Sequence, residues 1–171
     1  MFEFPRTKRI AALTLVTASI ALAGCGGGDS PLASGNGPRG IFTSTNDCAG
    51  NASFSYEKCA AAIKVAIKEH NENSPSYSSK RVCEASERSC ERTLENEYRP
   101  RLIGFYVEVP EGEGAEPVGK PLYAATRGEK GFRDSSNTIY LENDLTLEFS
   151  RSAVVAYQTY SGGAQKGGFG T

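Results

Sequence analysis

Apolar residues follow a helical period in the first half of the chain. Over about residues 56–72 they recur at i, i+4 and i+7, which predicts an amphipathic helix. Ser55 is suited to cap the first turn, and Pro75 ends the helix because the residue before a proline avoids the helical region. A second helix is predicted after Ser79. Together they predict a helical hairpin over about residues 55–92.

The period changes after Arg99-Pro100-Arg101. In residues 103–109 apolar and other side chains alternate, which is the pattern of a half-buried strand. Further strands are predicted at Leu122-Tyr123-Ala124, in a hairpin around Asn143-Asp144, and at Val154-Val155-Ala156-Tyr157. The predicted fold class is therefore α+β, with a small disulfide-linked two-helix part followed by antiparallel β strands over residues 102–160.

Both ends of this region are rich in glycine. Residues 26–40 read GGGDSPLASGNGPRG, and residues 161–171 read SGGAQKGGFGT. Neither has an apolar period, so each is predicted to be flexible. A single folded domain is predicted between them, over residues 41–160, and residues 25–40 are predicted to be its tether.

The N-terminus has the layout of a bacterial lipoprotein export signal. Basic residues at positions 6–9 precede an apolar run over residues 10–23, which leads into Leu22-Ala23-Gly24-Cys25. This predicts removal of residues 1–24 and attachment of lipid to Cys25. In a Gram-negative host, glycine at position 26 favours the outer membrane, facing the periplasm.

Two other interpretations of this segment are weaker. A transmembrane helix needs about 20 apolar residues, whereas this run has 14. An ordinary secretory signal would leave Cys25 as an unpaired thiol in an oxidising compartment. Lipidation of Cys25 avoids both difficulties.

The charge of the chain limits its partners. The formal net charge is −1, and removing a signal segment of charge +2 leaves −3. A mildly acidic protein lacks the basic footprint of a nucleic-acid-binding protein. We therefore expect no nucleic-acid partner, and membrane attachment through the lipid on Cys25 alone.

Four cysteines remain after Cys25, and they predict two disulfides rather than a zinc site. The intervals between Cys48, Cys59, Cys83 and Cys90 are ten, 23 and six residues, unlike the close pairs of most four-thiolate zinc sites. In a continuous helix Cys83 and Cys90 would lie about 10 Å apart, beyond the roughly 7 Å that a disulfide spans. The hairpin geometry favours Cys59–Cys90 with Cys48–Cys83, although a shorter first helix would favour Cys59–Cys83.

Several of these features occur together in one bacterial family. The chain resembles the YgiB-type lipoproteins, a largely uncharacterised group. The resemblance rests on these segments: Asp47-Cys48, Cys59, Glu69-His70, Pro75-x-Tyr77-x-Ser79, Cys83-Glu84, Cys90, Pro121-Leu122-Tyr123, Gly131-Phe132-Arg133-Asp134 and Gly167-Gly168-Phe169-Gly170. It departs from the family pattern at Lys166, where arginine is usual, and in the short Cys83–Cys90 interval. The resemblance implies no established activity and no cofactor.

Candidate chemistry is sparse. His70 is the only histidine, and we expect it to bond the last carbonyl groups of its helix. It has no second histidine with which to bind a metal. A Ser-His-Asp arrangement stays open, although the chain has no Gly-x-Ser-x-Gly motif. The glutamates at positions 84, 87 and 91 share a helical spacing, but basic neighbours indicate a solvated face.

The glycine-rich C-terminal segment and the tyrosines are two further candidates for a functional role. Residues 162–168 contain glycines and one lysine but lack the order of a phosphate-binding loop. Five tyrosines offer a binding face or, more simply, the outer face of strands: Tyr106, Tyr123, Tyr140, Tyr157 and Tyr160.

The sequence therefore predicts a non-catalytic cell-envelope lipoprotein that acts through protein or polymer contacts, without a metal or cofactor. One alternative is an envelope hydrolase that uses paired carboxylates such as Glu84 or Glu108. The other is a structural protein of the envelope.

Overall fold

The computed structural model describes residues 37–112, 114–126 and 131–161. The following predictions lie outside these residues: the signal peptide over residues 1–24, lipidated Cys25, the tether up to residue 36 and the tail from residue 162.

The described residues form an α+β fold, as predicted. The elements in chain order are β1 (Arg39–Phe42), α1 (Thr45–Ala49), α2 (Tyr56–Asn73), α3 (Lys80–Ser86), β2 (Cys90–Arg92), β3 (Tyr98–Pro100), β4 (Gly104–Glu108), β5 (Val118–Ala124), β6 (Phe132–Arg133), β7 (Ile139–Tyr140), β8 (Glu148–Phe149) and α4 (Arg151–Ser161). In these residues no helix is both long enough and apolar enough to cross a membrane.

Six strands form one sheet in the order β7-β6-β5-β4-β1-β8. Neighbouring strands are antiparallel from β7 to β1, with Ile41 opposite Tyr106. The edge strand β8 runs parallel to β1, with Ile41 also opposite Phe149. Strands β2 and β3 form a separate antiparallel pair, in which Cys90 lies opposite Pro100.

Successive residues of a strand face opposite sides of the sheet, and each side has its own hydrophobic cluster. Ile41 belongs to the cluster that reaches Ala153 of α4. Phe42, the next residue, belongs to the cluster that includes Cys59 and Ile63 of α2. Helices α1 and α2 therefore cover one face of the sheet, and α4 packs on the other.

Helix α2 confirms the predicted first helix. The side chain of Ser55 accepts a hydrogen bond from the backbone of Lys58 at its start. At its end, the backbone N–H of Ser74 bonds the carbonyl of His70. One face is buried, and it consists of Cys59, Ala62, Ile63, Ala66 and His70.

The predicted helical hairpin is wrong in its second half. Helix α3 ends at Ser86, and Glu87 already has an extended backbone. The chain then enters β2 at Cys90, so the predicted helix is cut short before the second cysteine.

The predicted disulfide pairs are wrong for the same reason. Cys83 pairs with Cys90, at a Cα–Cα distance of 6.3 Å that the extended backbone between them permits. Cys48 pairs with Cys59, at 5.9 Å, because α1 packs beside the start of α2. Neither Cys59–Cys90 nor Cys48–Cys83 forms.

Two predictions about strands are also corrected. Residues 154–157 lie in helix α4, whose first turn is capped by the Ser150 side chain. The hairpin around Asn143-Asp144 is absent, because β7 and β8 lie at opposite edges of the sheet. In addition, β1 begins at Arg39, inside the predicted tether.

Candidate functional site

Residues 75–101, here called the arm, leave the body of the domain after α2 and return before β4. The arm contains α3, β2 and β3 and is closed on itself by the Cys83–Cys90 disulfide. Among the described residues, none of those in the two hydrophobic clusters comes from the arm. Polar side chains of the arm contact two buried residues of the body, His70 and Arg133.

His70 is in the last turn of α2. Its side chain lies between β5 and the arm, and it is 2% exposed. Its Nδ1 atom is 2.8 Å from Ser74 Oγ and 3.0 Å from Tyr123 Oη. Its Nε2 atom is 3.3 Å from Glu91 Oε1. Both ring nitrogens therefore have partners, and the two hydroxyl groups are themselves 3.1 Å apart.

The surroundings of His70 favour a neutral imidazole. Burial lowers its pKa below 6.5, the positive charge of Arg99 lowers it further, and Glu91 opposes these effects only in part. With a carboxylate at Nε2, the neutral ring carries its proton there and donates it to Glu91. The lone pair of Nδ1 is then free to accept a hydrogen bond from the Ser74 hydroxyl.

Tyr123 stays protonated beside the histidine. Burial raises the pKa of its hydroxyl, and the nearby Ser74 and Arg133 lower it by less. Tyr123 therefore enters the network as a neutral hydroxyl group. Its ring is tilted against the His70 ring, with 5.7 Å between the ring centroids.

Ser74 connects this buried network to a polar groove of about 440 Å³. The groove runs between the end of α2 and the β2–β3 hairpin. It is lined by Asn71, Ser74, Ser76, Arg92, Thr93, Leu94, Glu95, Glu97 and Arg99. The groove therefore offers hydroxyl groups, an amide and charges of both signs.

The Arg99 side chain is fixed in one wall of this groove by two hydrogen bonds. Its Nε donates to Glu91 Oε1 at 2.8 Å, and its Nη1 donates to Asn71 Oδ1 at 3.0 Å. Glu91 is thus held between His70 and Arg99, which keeps its carboxylate directed at the imidazole.

Arg133 of β6 is the second attachment point. It forms a buried ion pair with Glu87 of the arm, in which the two side chains are 7% and 9% exposed. The Tyr77 hydroxyl donates to the same carboxylate at 3.1 Å. The guanidinium of Arg133 also lies over the Tyr123 ring, 5.1 Å from its centroid, so the two attachment points are continuous.

A separate polar cluster around Asp134 stabilises the sheet. The buried carboxylate accepts hydrogen bonds from Lys120 at 3.0 Å and from the Tyr140 hydroxyl at 2.9 Å. It also accepts from the backbone of Ser136 and Thr138. Burial acts to raise the pKa of Asp134, but these hydrogen bonds outweigh it and the pKa is lowered. Every side of this carboxylate is occupied within the fold.

The structure separates the three glutamates predicted to share a helical face. Glu84 lies exposed on α3 and pairs with Lys80 at 3.4 Å, one turn away. Glu87 and Glu91 lie beyond the end of α3 and turn inward, to Arg133 and His70. Glu108, on β4, is buried and accepts from the Tyr106 hydroxyl at 2.6 Å.

The five tyrosines do not form one binding face. Tyr106, Tyr123 and Tyr140 are buried in the sheet. Tyr157 packs on Phe132, and exposed Tyr160 lies under Arg101. In the part of the chain that the structure describes, no three residues among the histidines, cysteines and acids are grouped to hold a metal.

The role predicted for His70 is corrected, because its side chain contacts Ser74, Tyr123 and Glu91. Sequence reasoning missed Ser74. The available signal was its i+4 spacing from His70, which places the two side chains on one face of the last helical turn. Nothing local in the sequence indicates Tyr123 or Arg99, since both reach His70 from distant segments.

A family model described as "Protein of unknown function (DUF1190)" matches residues 38–171. No curated protein matches the chain significantly. No solved structure does so either.

Proposed function

The chain belongs to the DUF1190 family of proteins of unknown function, and from this premise we propose that it is a lipid-anchored protein of the bacterial cell envelope that acts through contacts with an envelope protein or polymer. Within that family we place it with the YgiB-type lipoproteins. The support for this placement is the cysteine framework and the glycine-rich C-terminal segment.

The proposed location in the cell envelope rests on the N-terminal sequence. A basic start, an apolar run of 14 residues and a cysteine at its end support export and lipidation at Cys25. The two disulfides support an oxidising compartment, since such bonds are rare in the cytosol. In a Gram-negative host the protein would face the periplasm from the outer membrane.

The groove is the observation that carries the proposal of a binding role. Two of its lining residues, Ser74 and Arg99, are hydrogen-bonded to the His70 network, which restrains that side of the groove before a partner binds. Its lining combines Arg92 and Arg99 with acidic and hydroxyl side chains, which suits a polar chain such as a peptide or a glycan. At the groove, Leu94 is 97% exposed on the β2–β3 hairpin.

The groove is tested by crosslinking in intact cells. A photoreactive amino acid replaces Leu94, and the matched control replaces Leu145, which is 99% exposed in the β7–β8 connection. We expect a discrete crosslinked partner from position 94 that is absent from position 145. Replacing groove residues Arg92 and Glu97 by Ala should abolish it. Equal crosslinks from both positions would contradict a binding role for the groove.

The anchor needs a separate test. The wild-type chain should incorporate labelled palmitate and sediment with membranes, and Cys25→Ser should lose both properties. The two disulfides should form in either case, because neither includes Cys25. Membrane attachment of Cys25→Ser equal to that of the wild type would refute lipidation at this residue.

The alternative of a hydrolase based on Glu84 or Glu108 has no support in the described contacts. The contact of Glu84 is an exposed ion pair on its own helix, and that of Glu108 is a buried bond to Tyr106. A glycosidase needs two carboxyl groups about 5–10 Å apart across one cleft. No contact described for these two side chains supplies that arrangement.

A further inference from the structure

We propose that Ser74 is a nucleophile, that His70 is its general base, and that the groove holds a carboxylic ester for attack. The inference rests on the proposed function, because the substrate is an ester group on the partner that occupies this groove. It also goes beyond that function, because it assigns the hydrolysis of an ester to the groove.

The hydrogen bonds of this network follow the order that nucleophilic catalysis requires. Nucleophile, base and orienting carboxylate lie in series, with 2.8 Å from Ser74 Oγ to His70 Nδ1 and 3.3 Å from His70 Nε2 to Glu91 Oε1. This is the arrangement in which an imidazole takes a proton from a hydroxyl while a carboxylate fixes its tautomer. Glu91 is here a positioning residue, and it is held in place by Arg99.

The network has a buried member, His70, and a member in the wall of the groove, Ser74. The His70 ring is 2% exposed, so water does not compete for its lone pair. Ser74 is half-buried, and among His70, Tyr123, Glu91 and Ser74 it is the residue that lines the groove. A purely structural network has no need to place one member in a cavity wall.

Two side chains of the groove are suited to stabilise negative charge on the reacting carbonyl oxygen. Arg99 and Asn71 line the same cavity as Ser74 and carry side-chain N–H groups. Ser74 caps the C-terminal end of α2, where the helix dipole is negative, so the helix itself gives no such help. We therefore assign an ester, whose carbonyl is more reactive than that of an amide.

The Ser74 hydroxyl proton moves to His70 Nδ1 while Oγ bonds to the carbonyl carbon. The bond from that carbon to the alcohol oxygen then breaks, and His70 returns the proton to the departing alcohol. Water attacks the resulting acyl-Ser74 ester in the same way, releasing a carboxylic acid and restoring the hydroxyl.

This assignment departs from the expectation of a non-catalytic protein. That expectation rested on the lack of a nucleophile beside a base in the sequence. Ser74 lies in Asn73-Ser74-Pro75, at the end of a helix, which is not the strand–turn–helix setting of a Gly-x-Ser-x-Gly nucleophile.

Covalent labelling of the purified full chain gives the first test. The oxygen of an activated serine bonds the phosphorus of a fluorophosphonate probe and displaces fluoride, and the adduct is located by mass spectrometry. We expect one adduct, on Ser74, which Ser74→Ala abolishes. The matched control is Ser135→Ala, because Ser135 lies outside the groove and its hydroxyl bonds Glu69 instead of the histidine. An unlabelled Ser74 in the folded wild-type chain would overturn the proposal.

Hydrolysis of p-nitrophenyl acetate gives the second test. Ser74→Ala should lower the rate about 100-fold, and Ser135→Ala should leave it unchanged. Glu91 raises the pKa of His70, so Glu91→Gln should shift the acid limb of the rate profile to lower pH. Wild-type hydrolysis no faster than that of Ser74→Ala would overturn the proposal.

These tests are independent of the binding role. Retention of the Leu94 crosslink in Ser74→Ala, together with an unlabelled Ser74 in the wild type, would refute the chemistry and leave the contact intact. A labelled Ser74 without any groove-dependent crosslink would support the chemistry and contradict the proposed contact.

Discussion

Gly119 of β5 lies directly against Ala62 of α2. A Cβ atom on Gly119 would sit 1.8 Å from the carbonyl oxygen of Ala62, which is far inside van der Waals contact. The two elements approach each other here at residues without bulky side chains. This contact sets the distance of α2 from the sheet, and hence the positions of His70 on α2 and Tyr123 on β5.

Gly119→Ala should therefore destabilise the domain by about 3 kcal/mol, because backbone atoms must move to admit one methyl group. Thermal unfolding followed by circular dichroism measures the loss. The control is Gly50→Ala, where φ is −69° and a Cβ atom would approach nothing closer than 3.4 Å. An equal change in Tm for the two variants would show that α2 and β5 do not meet at Gly119.

Peptide mapping under non-reducing conditions should find Cys48 joined to Cys59 and Cys83 joined to Cys90. Replacing both Cys83 and Cys90 by serine should cost about 2–3 kcal/mol, the loop-closure value for so short a ring. Peptides that join Cys59 to Cys90 would contradict the short helix α3.

Removing one partner of the buried ion pair should be costly. Glu87→Gln leaves the Arg133 charge buried without its counterion, and we expect a loss of about 3–5 kcal/mol in the free energy of unfolding. The matched control is Glu84→Gln, on the same arm, whose exposed pair with Lys80 should contribute less than about 1 kcal/mol. Similar losses in chemical denaturation would contradict attachment of the arm through Arg133.

Stability should also depend on pH through His70. Its pKa in the folded state is lowered from 6.5, so the unfolded chain binds the proton more readily. The contribution is fully present above pH 6.5 and is lost as pH falls through the folded-state pKa. The groups that face the ring are Glu91, Arg99 and Tyr123.

The Tm of the wild type should therefore fall more steeply than that of His70→Gln between pH 7.5 and pH 5. The variant lacks the titrating group but keeps side-chain atoms that form hydrogen bonds. Parallel slopes for the two proteins would contradict a buried, neutral His70.

An element is predictable from the sequence when the residues that determine it lie close together along the chain. Helix α2 was predictable because its apolar face repeats over 18 residues and Ser55 caps it. Helix α4 was missed because two adjacent valines have strand propensity, and packing of Ala153 against the sheet overrode it. The Ser150 cap was the signal in favour of the helix.

The candidate site was harder to predict, because long-range contacts assemble it. His70 and Glu91 are 21 residues apart, and His70 and Tyr123 are 53 apart. The pattern of apolar residues in the sequence does not indicate which glutamate side chain turns inward after α3 ends. The early end of α3 also explains the error in disulfide pairing, since only a continuous helix would separate Cys83 from Cys90.

The two disulfides join cysteines in consecutive order, at separations of 11 and seven residues. During the vectorial translocation proposed for this chain, each second cysteine would emerge with its correct partner as the nearest free thiol. Oxidation in order of emergence would then give the native pairs without reshuffling. A chain with crossed pairs would depend on a disulfide isomerase, whereas this one should mature in cells that supply only an oxidant.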